Sequence, residues 1–213
     1  MVTGNGSTGK AGQPRPVRQW QRILVLRLLG LALIPLVLCG RPVWQDGGLA
    51  SETLEPLGGI LLFAAIFGRF WAILYIGAAK NRTVMQDGPY SLCRHPLYLF
   101  STIGATAFGL LLSSVTLAAL IGGATFAVLW ITARREERYL RGAFGPAYDD
   151  YAARVPRILP RLSGFSTPPR ITADVRALRG NFADALVFLA LIPLAELIEA
   201  VQAAGHLPTF PIW

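Results

Sequence analysis

The sequence predicts an all-α, polytopic membrane helix bundle. Four core transmembrane helices are expected, with a fifth membrane helix near the C-terminus and a cytosolic helical segment between. Three observations carry this. First, 53% of the 213 residues are hydrophobic and 15% are charged, with mean hydropathy +0.47; soluble domains carry about a quarter charged residues. Second, the apolar residues gather into blocks long enough to cross hydrocarbon. Third, the basic residues behind the formal net charge of +8 flank those blocks, which suits contact with anionic headgroups of membrane lipid. Basic character would suggest nucleic acid in a soluble protein, but the aromatic-plus-basic strand patterns of an RNA binder are absent, so no nucleic-acid partner is expected.

The two cysteines, Cys39 and Cys93, are too few for a disulfide framework or a zinc site, and no metal is expected. They read as reduced structural thiols. Residues 1–22 form a Gly-, Ser-, Thr- and Pro-rich basic tail with little to bury, expected to be disordered. Ile23 to Cys39 is the first apolar block. Arg15, Arg18 and Arg22 precede it and no small-residue cleavage site follows, as in a retained signal anchor. Arg27 lies about one turn inside and snorkels, and Pro35 predicts a kink near the far end.

Arg41 to Pro56 reads as a polar loop. Leu57 to Ala79 is the clearest span, about 23 residues against about 30 Å of hydrocarbon. Arg69 lies in its middle and must face protein or a watery cavity rather than lipid, either as a structural partner or toward substrate. Together residues 23–79 make the first two transmembrane helices. Lys80 to Arg94 is a short polar connection. Leu97 to Leu112 and Val115 to Ile131 follow, joined so tightly at Ser113-Ser114 that they form an antiparallel hairpin. Thr132 to Gly180 is polar, with ten arginines against five acids. The remainder, 163–213, reads as a linker and a C-terminal membrane helix. Asn181 to Val201 is long enough to span only if Asp184, Glu196 and Glu199 are tolerated near its ends; a re-entrant or interfacial helix is the alternative.

Lys and Arg bias sets the orientation. The tail to Arg22 carries four basic residues and no acid, the Arg41–Pro56 loop is net acidic, and the two later polar segments are basic. The N-terminus and the polar motifs are therefore expected on the cytoplasmic side, which in a bacterium means the inner membrane. The hairpin then acts as a ruler. Pro96 to Ser113 rises about 26 Å and Ser114 to Glu136 about 33 Å, so the return helix overshoots by about a turn. Glu136 and Glu137 should lie beside Arg94, His95 and Tyr98.

The chemistry of each part is readable. Pro96 suits a first helical turn, which makes His95 the cap residue. A helix start next to Arg94 and His95 suits a carboxylate or phosphate. Glu136 and Glu137 suit an ammonium or sulfonium. The turn Gly88-Pro89-Tyr90 brings backbone polar groups and a ring toward a flat ligand. Singly, each residue also reads as a surface pair or a plain cap; jointly, with a hairpin fixing their spacing, they read as a site. An amino-acid-bearing cation with an aromatic base suits all three parts, and S-adenosylmethionine is such a molecule.

Gly88-Pro89-Tyr90, Arg94-His95-Pro96-x-Tyr98 and Glu136-Glu137, then Phe144-Gly145-x-x-Tyr148-x-x-Tyr151, resemble the signature of the isoprenylcysteine carboxyl methyltransferase and phospholipid methyltransferase superfamily. The resemblance covers roughly residues 80–162, the methyltransferase motif core. It implies an integral membrane methyltransferase using S-adenosylmethionine at the cytosolic face. His95 and the helix start would hold the cofactor carboxylate and Glu137 its amino group; Gly88, Pro89, Tyr90, Arg94, Tyr98 and Tyr148 complete the implied cofactor set. Thr132 stands where family members often carry an arginine, with Arg134 or Arg135 as the expected substitute.

Methyl transfer from a sulfonium is an in-line displacement, so the protein chiefly positions donor and acceptor. The acceptor is expected to be a lipophilic small molecule or a lipidated substrate, most simply an isoprenylcysteine-like carboxylate. Arg69, Arg134 or Arg135 would hold its anionic group, and Glu136 would serve as base if the acceptor were an amine. The alternatives are a phospholipid N-methyltransferase, an NADPH-dependent sterol-type reductase, which would need more spans, and a non-catalytic lipid-binding membrane protein.

Overall fold

The computed structural model describes residues 19–43, 49–76, 83–205 and 208–212. Most of the expected tail, residues 44–48 of the first loop, residues 77–79 at the end of the second expected span and residues 80–82 of the connection after it lie outside them. The described chain is helical throughout its core. Helix α1 (Gln19–Cys39) carries Pro35 and leads into strand β1 (Gly40–Pro42). Helix α2 (Leu49–Ile76) follows, then the single turn α3 (Pro89–Leu92), α4 (Pro96–Leu111), α5 (Val115–Phe144) and α6 (Pro146–Arg154). The C-terminal part holds α7 (Val175–Leu189), α8 (Leu191–Ala203) and strand β2 (Phe210–Ile212).

Two helical stretches are long and apolar enough to cross a bilayer by length and composition, Glu52–Ile76 and Val115–Phe144; Ile23–Cys39 and Pro96–Leu111 are apolar but shorter. Helix α2 begins earlier than the expected span, and Leu49 to Pro56 is helix rather than loop. Glu52 in its first turn complements the helix dipole. Pro56 costs one hydrogen bond near an end where Glu52, Glu55 and Pro56 itself are exposed.

Helix α4 packs along both α2 and α5. The α4–α5 connection is as tight as its two serines suggested. Ser113 adopts φ 51 and Ser114 donates its N–H to the Gly109 carbonyl at 3.1 Å. The Ser114 hydroxyl then accepts from Leu117 N–H at 3.1 Å, capping α5. The arm separation depends on Gly109, where a Cβ would strike the backbone of Ala118. Around this seam Leu62, Ile66, Ala107, Leu111 and Leu117 form the main core, joined by Ala185, Ala195 and Ile198 from the C-terminal helices.

Two features depart from the sequence expectation. The C-terminal run is two helices, not one, with the break at Ala190. Pro193 cannot donate to the Leu189 carbonyl, which is where the ladder is interrupted. The fold is also not purely helical, because β1 and β2 pair in parallel with Gly40 opposite Phe210 and Pro42 opposite Ile212. Beside that pair, the buried Gln202 amide donates to the Val37, Leu38 and Gly40 carbonyls at 3.0, 3.3 and 3.1 Å, satisfying the end of α1.

Candidate active site

The segment after α6 decides the site. Gly145 (φ 55) lets the chain turn from α5 into α6, and residues 155–167 then run back beside the 88–95 turn. Arg94 N–H donates to the Pro156 carbonyl at 2.8 Å, His95 N–H to the Arg157 carbonyl at 3.0 Å, and Arg161 N–H to the Leu92 carbonyl at 3.1 Å. Gly88 N–H reaches the Ser166 carbonyl at 2.7 Å. Gly88 itself has φ 59, with the Tyr75 ring where a Cβ would stand. The Tyr151 hydroxyl donates to the Tyr90 carbonyl at 2.7 Å, tying α6 to the same turn.

At the centre lies Glu137, whose side chain is 1% exposed. Arg157 grips it with two parallel bonds of 2.8 Å. Such a fork-to-fork pair is the strongest ordinary ion pair a protein makes. Arg94 Nη1 stands 3.4 Å from the same carboxylate and His95 Nε2 stands 3.3 Å away. The other imidazole nitrogen, Nδ1, is 3.7 Å from Glu136, whose side chain is 37% exposed. The His95 ring stacks on Tyr98 at 5.2 Å between centroids. His95 occupies the N-cap position of α4 with Pro96 behind it, and its side chain makes no capping bond. The imidazole is therefore left to the site.

Burial shapes the neighbouring tyrosines. Tyr148 is 1% exposed and edge-on to Tyr151. Burial and the Glu137 carboxylate push its phenol up to about 12, so it stays neutral. Burial raises Tyr90 and Tyr151 as well. Burial pushes the Cys93 thiol up to about 12 against a hydrogen bond from the His95 backbone, the signature of an inert structural cysteine. The paired Glu137 carboxylate raises Arg157, which also lies 4.8 Å over the Trp130 ring. Among the described residues, four buried polar atoms at this site have no hydrogen-bond partner: the Tyr90 and Tyr148 hydroxyls, Arg94 Nε and His95 Nε2.

The hairpin thus brings together Gly88, Pro89, Tyr90, Arg94, His95, Tyr98, Glu136 and Glu137, with Tyr148 delivered by α6. Arg134 and Arg135 are not brought in. The turn of α5 that buries Ala133 and Glu137 sends both outward to the exposed face. Thr132 donates its hydroxyl to the Val128 carbonyl instead. The cation that grips Glu137 most closely is Arg157, which the residue pattern did not single out. Its only sequence signal is its place after Pro156 in a basic segment. Arg69 belongs to a separate group on α2. It bonds Ser101 at 2.7 Å and Asp184 at 2.6 Å and lies against the Phe188 ring.

The chain is similar to several known proteins. The family model for phospholipid methyltransferases matches residues 57–147. The nickel-cobalt-cadmium resistance protein NccN of Alcaligenes xylosoxydans is 34% identical, over 89% of this chain and 88% of its own. The cobalt-zinc-cadmium resistance protein CzcN of Cupriavidus metallidurans is 36% identical, over 87% and 85%. Methanethiol S-methyltransferase 2 of Bradyrhizobium diazoefficiens is 32% identical over 57% of this chain and 51% of its own. No solved structure matches. The matched region contains the hairpin with Arg94, His95, Glu136 and Glu137 and ends before Arg157; with the two long relatives beside it, the chain belongs to the phospholipid methyltransferase family.

Proposed function

We propose that the protein is an integral membrane, S-adenosylmethionine-dependent methyltransferase acting at the cytoplasmic face on a lipophilic acceptor. The observation that carries the reading is the buried charge cluster of Arg94, His95, Glu137 and Arg157 at the end of an apolar hairpin. Exposed apolar residues on α2, such as Ile60 at 66% and Phe67 at 68%, support placement of the hairpin and α2 in a bilayer. Four core spans, with α7 and α8 as a broken fifth, remain the proposed topology.

The residues present fit the cofactor. Two guanidinium groups face one fully buried carboxylate, which leaves local positive charge for the carboxylate of an amino acid. The unpartnered Arg94 Nε and Tyr90 hydroxyl are donors in need of an acceptor. Glu136, half-exposed beside His95, supplies the opposite charge for an ammonium. Tyr90, Tyr98 and Tyr148 supply ring surface, and Gly88 and Pro89 shape the turn. When bound, the cofactor supplies an electrophilic methyl group. The chain's own task is to orient and to exclude water. Arg157 and Glu137 fix Arg94 and His95, and His95 with Tyr98 forms one flat wall. A carboxylate or thiolate acceptor requires no base, whereas an amine would give its proton to Glu136.

An isoprenylcysteine-like carboxylate, a phospholipid amine and a small thiol are all acceptors within this reading. The name of the Bradyrhizobium relative favours a thiol, while the two long relatives are named for metal resistance. A role alongside nickel, cobalt, zinc or cadmium resistance is the second reading, tested by whether loss of the gene sensitises cells to those metals. For the enzyme, calorimetric titration of the purified protein with S-adenosylmethionine and with NADPH is decisive. Binding of the first alone, lost in His95→Ala and weakened in Glu136→Gln, is expected. Binding of neither would overturn the enzyme reading.

A further inference from the structure

Beside the Glu137 cluster lie two open clefts that share a wall. The first, of about 320 Å³, is lined by Arg94, Arg154 and Arg161 together with Pro156 and Leu159. The second, of about 530 Å³, is lined by Phe126, Ala127, Trp130 and Ile131 of α5 and again by Leu159. One is cationic and the other apolar, and among the described residues no acid lines either. The bonds of Arg154 and Arg161 go to neutral oxygens. Arg154 donates to the Gln86 side chain at 2.8 Å and the Asp150 carbonyl at 3.2 Å, and Arg161 to the Arg154 carbonyl at 2.6 Å. Their charge is thus not matched by an acid through these bonds. The Arg157 guanidinium lies over the ring of Trp130, which lines the second cleft.

We propose that the joined clefts bind an acidic phospholipid of the membrane leaflet they face. Its phosphate would lie on Arg94, Arg154 and Arg161, and an acyl chain along Phe126, Trp130 and Ile131. Charge complementarity selects the headgroup, since clustered arginines near a membrane surface attract anionic lipid. The apolar half selects an amphiphile over a free phosphate. Leu159 and Leu162 are 65% and 79% exposed on the segment that carries Arg161, which suits a strap lying in the interface. The lipid site borders the proposed cofactor pocket at Arg94, whereas Arg154 and Arg161 lie outside that pocket. The segment that orders Arg157 also forms the cleft, so an occupied cleft would hold the strap against the donor site.

The test uses the full-length protein in a neutral detergent. Phosphatidylglycerol with brominated acyl chains is titrated in, and quenching of the Trp130 emission is followed, with Trp130→Phe identifying that signal. Brominated phosphatidylcholine and inorganic phosphate are the comparison arms. Phosphatidylglycerol should quench at lower concentration than phosphatidylcholine, and phosphate should not compete at equal concentration. Arg154→Gln and Arg161→Gln should each weaken phosphatidylglycerol binding on the order of fivefold. Unchanged melting would show that the fold is kept, and Arg161→Gln, which removes the side-chain bond to the Arg154 carbonyl, guards against misfolding of the other variant. Equal affinity for the two lipids, retention of the preference in both variants, or full competition by phosphate would each overturn the site. S-adenosylmethionine binding measured on the same samples is expected to be unchanged in both variants. Its absence from the wild type would count against the methyltransferase alone.

Discussion

Arg157 shows how much one side chain can decide. Glu137 is buried, and its two oxygens are satisfied by one guanidinium. Removing that partner leaves a buried charge with Arg94 and His95 at longer range. Arg157→Ala should therefore lower stability by about 2–4 kcal/mol, less than a fully buried pair because Arg157 is 23% exposed. Arg157→Lys keeps the charge but loses the fork, so it should fall between wild type and Ala. Thermal unfolding in detergent measures both; an Arg157→Ala variant as stable as wild type would remove the pair from the structural account. Cys93 gives a second prediction at this scale. Its thiol, 1% exposed and pushed up to about 12, is almost wholly protonated at pH 8. Because burial disfavours the thiolate, raising the pH to 9 should not release it. Mass spectrometry after maleimide treatment should find Cys93 unmodified until the protein is denatured.

At the scale of elements, the α4–α5 hairpin positions the site by length and by closeness. Length was readable from residue counts, because helix rise is fixed and the two serines leave no slack. The observed 3.3 Å and 3.7 Å approaches of His95 to Glu137 and Glu136 agree with the expected one-turn overshoot. Closeness rests on Gly109, which no count reveals. Gly109→Val would drive a side chain into the Ala118 backbone. It should reduce cofactor binding and melting temperature together, by at least the 1–3 kcal/mol typical of overpacking. Gly123, on the open side of α5 with nothing within 4 Å of where a Cβ would stand, is the control, and Gly123→Val should change stability little. If the two variants behaved alike in a thermal melt, the hairpin seam would not be where the glycine contact puts it. The strap at 155–167 was the element the sequence hid. It has no helical or strand period, and its ladder to residues 88–95 uses backbone groups that carry no residue signature.

For the whole molecule, the open question in the sequence was how the C-terminal run joins the bundle. Arg69 answers it. The side chain is 14% exposed and reaches Asp184 of α7, Ser101 of α4 and the Phe188 ring, so the structural-partner reading of that arginine is the one the contacts describe. Arg69→Ala removes all three links and should loosen α7 and α8 from α2. Asp184→Asn removes a partner whose side chain is 58% exposed and should matter less. Limited proteolysis in the 163–174 segment would read the difference, with faster cleavage in Arg69→Ala than in Asp184→Asn. Equal rates would show that α7 docks through its apolar face alone.

The sequence by itself determined the helical bundle, the hairpin and the meeting of the Arg94-His95 and Glu136-Glu137 motifs. These follow from block lengths and helix rise, which are local quantities. The tertiary structure alone decided that Arg157 meets Glu137 while Arg134 and Arg135 lie on the exposed face. A helix sends successive residues to different faces, so burying Glu137 turns Arg134 and Arg135 outward. The cation then had to come from another segment. Only the fold of residues 155–167 back onto the 88–95 turn, through backbone hydrogen bonds that any residues could make, supplied it.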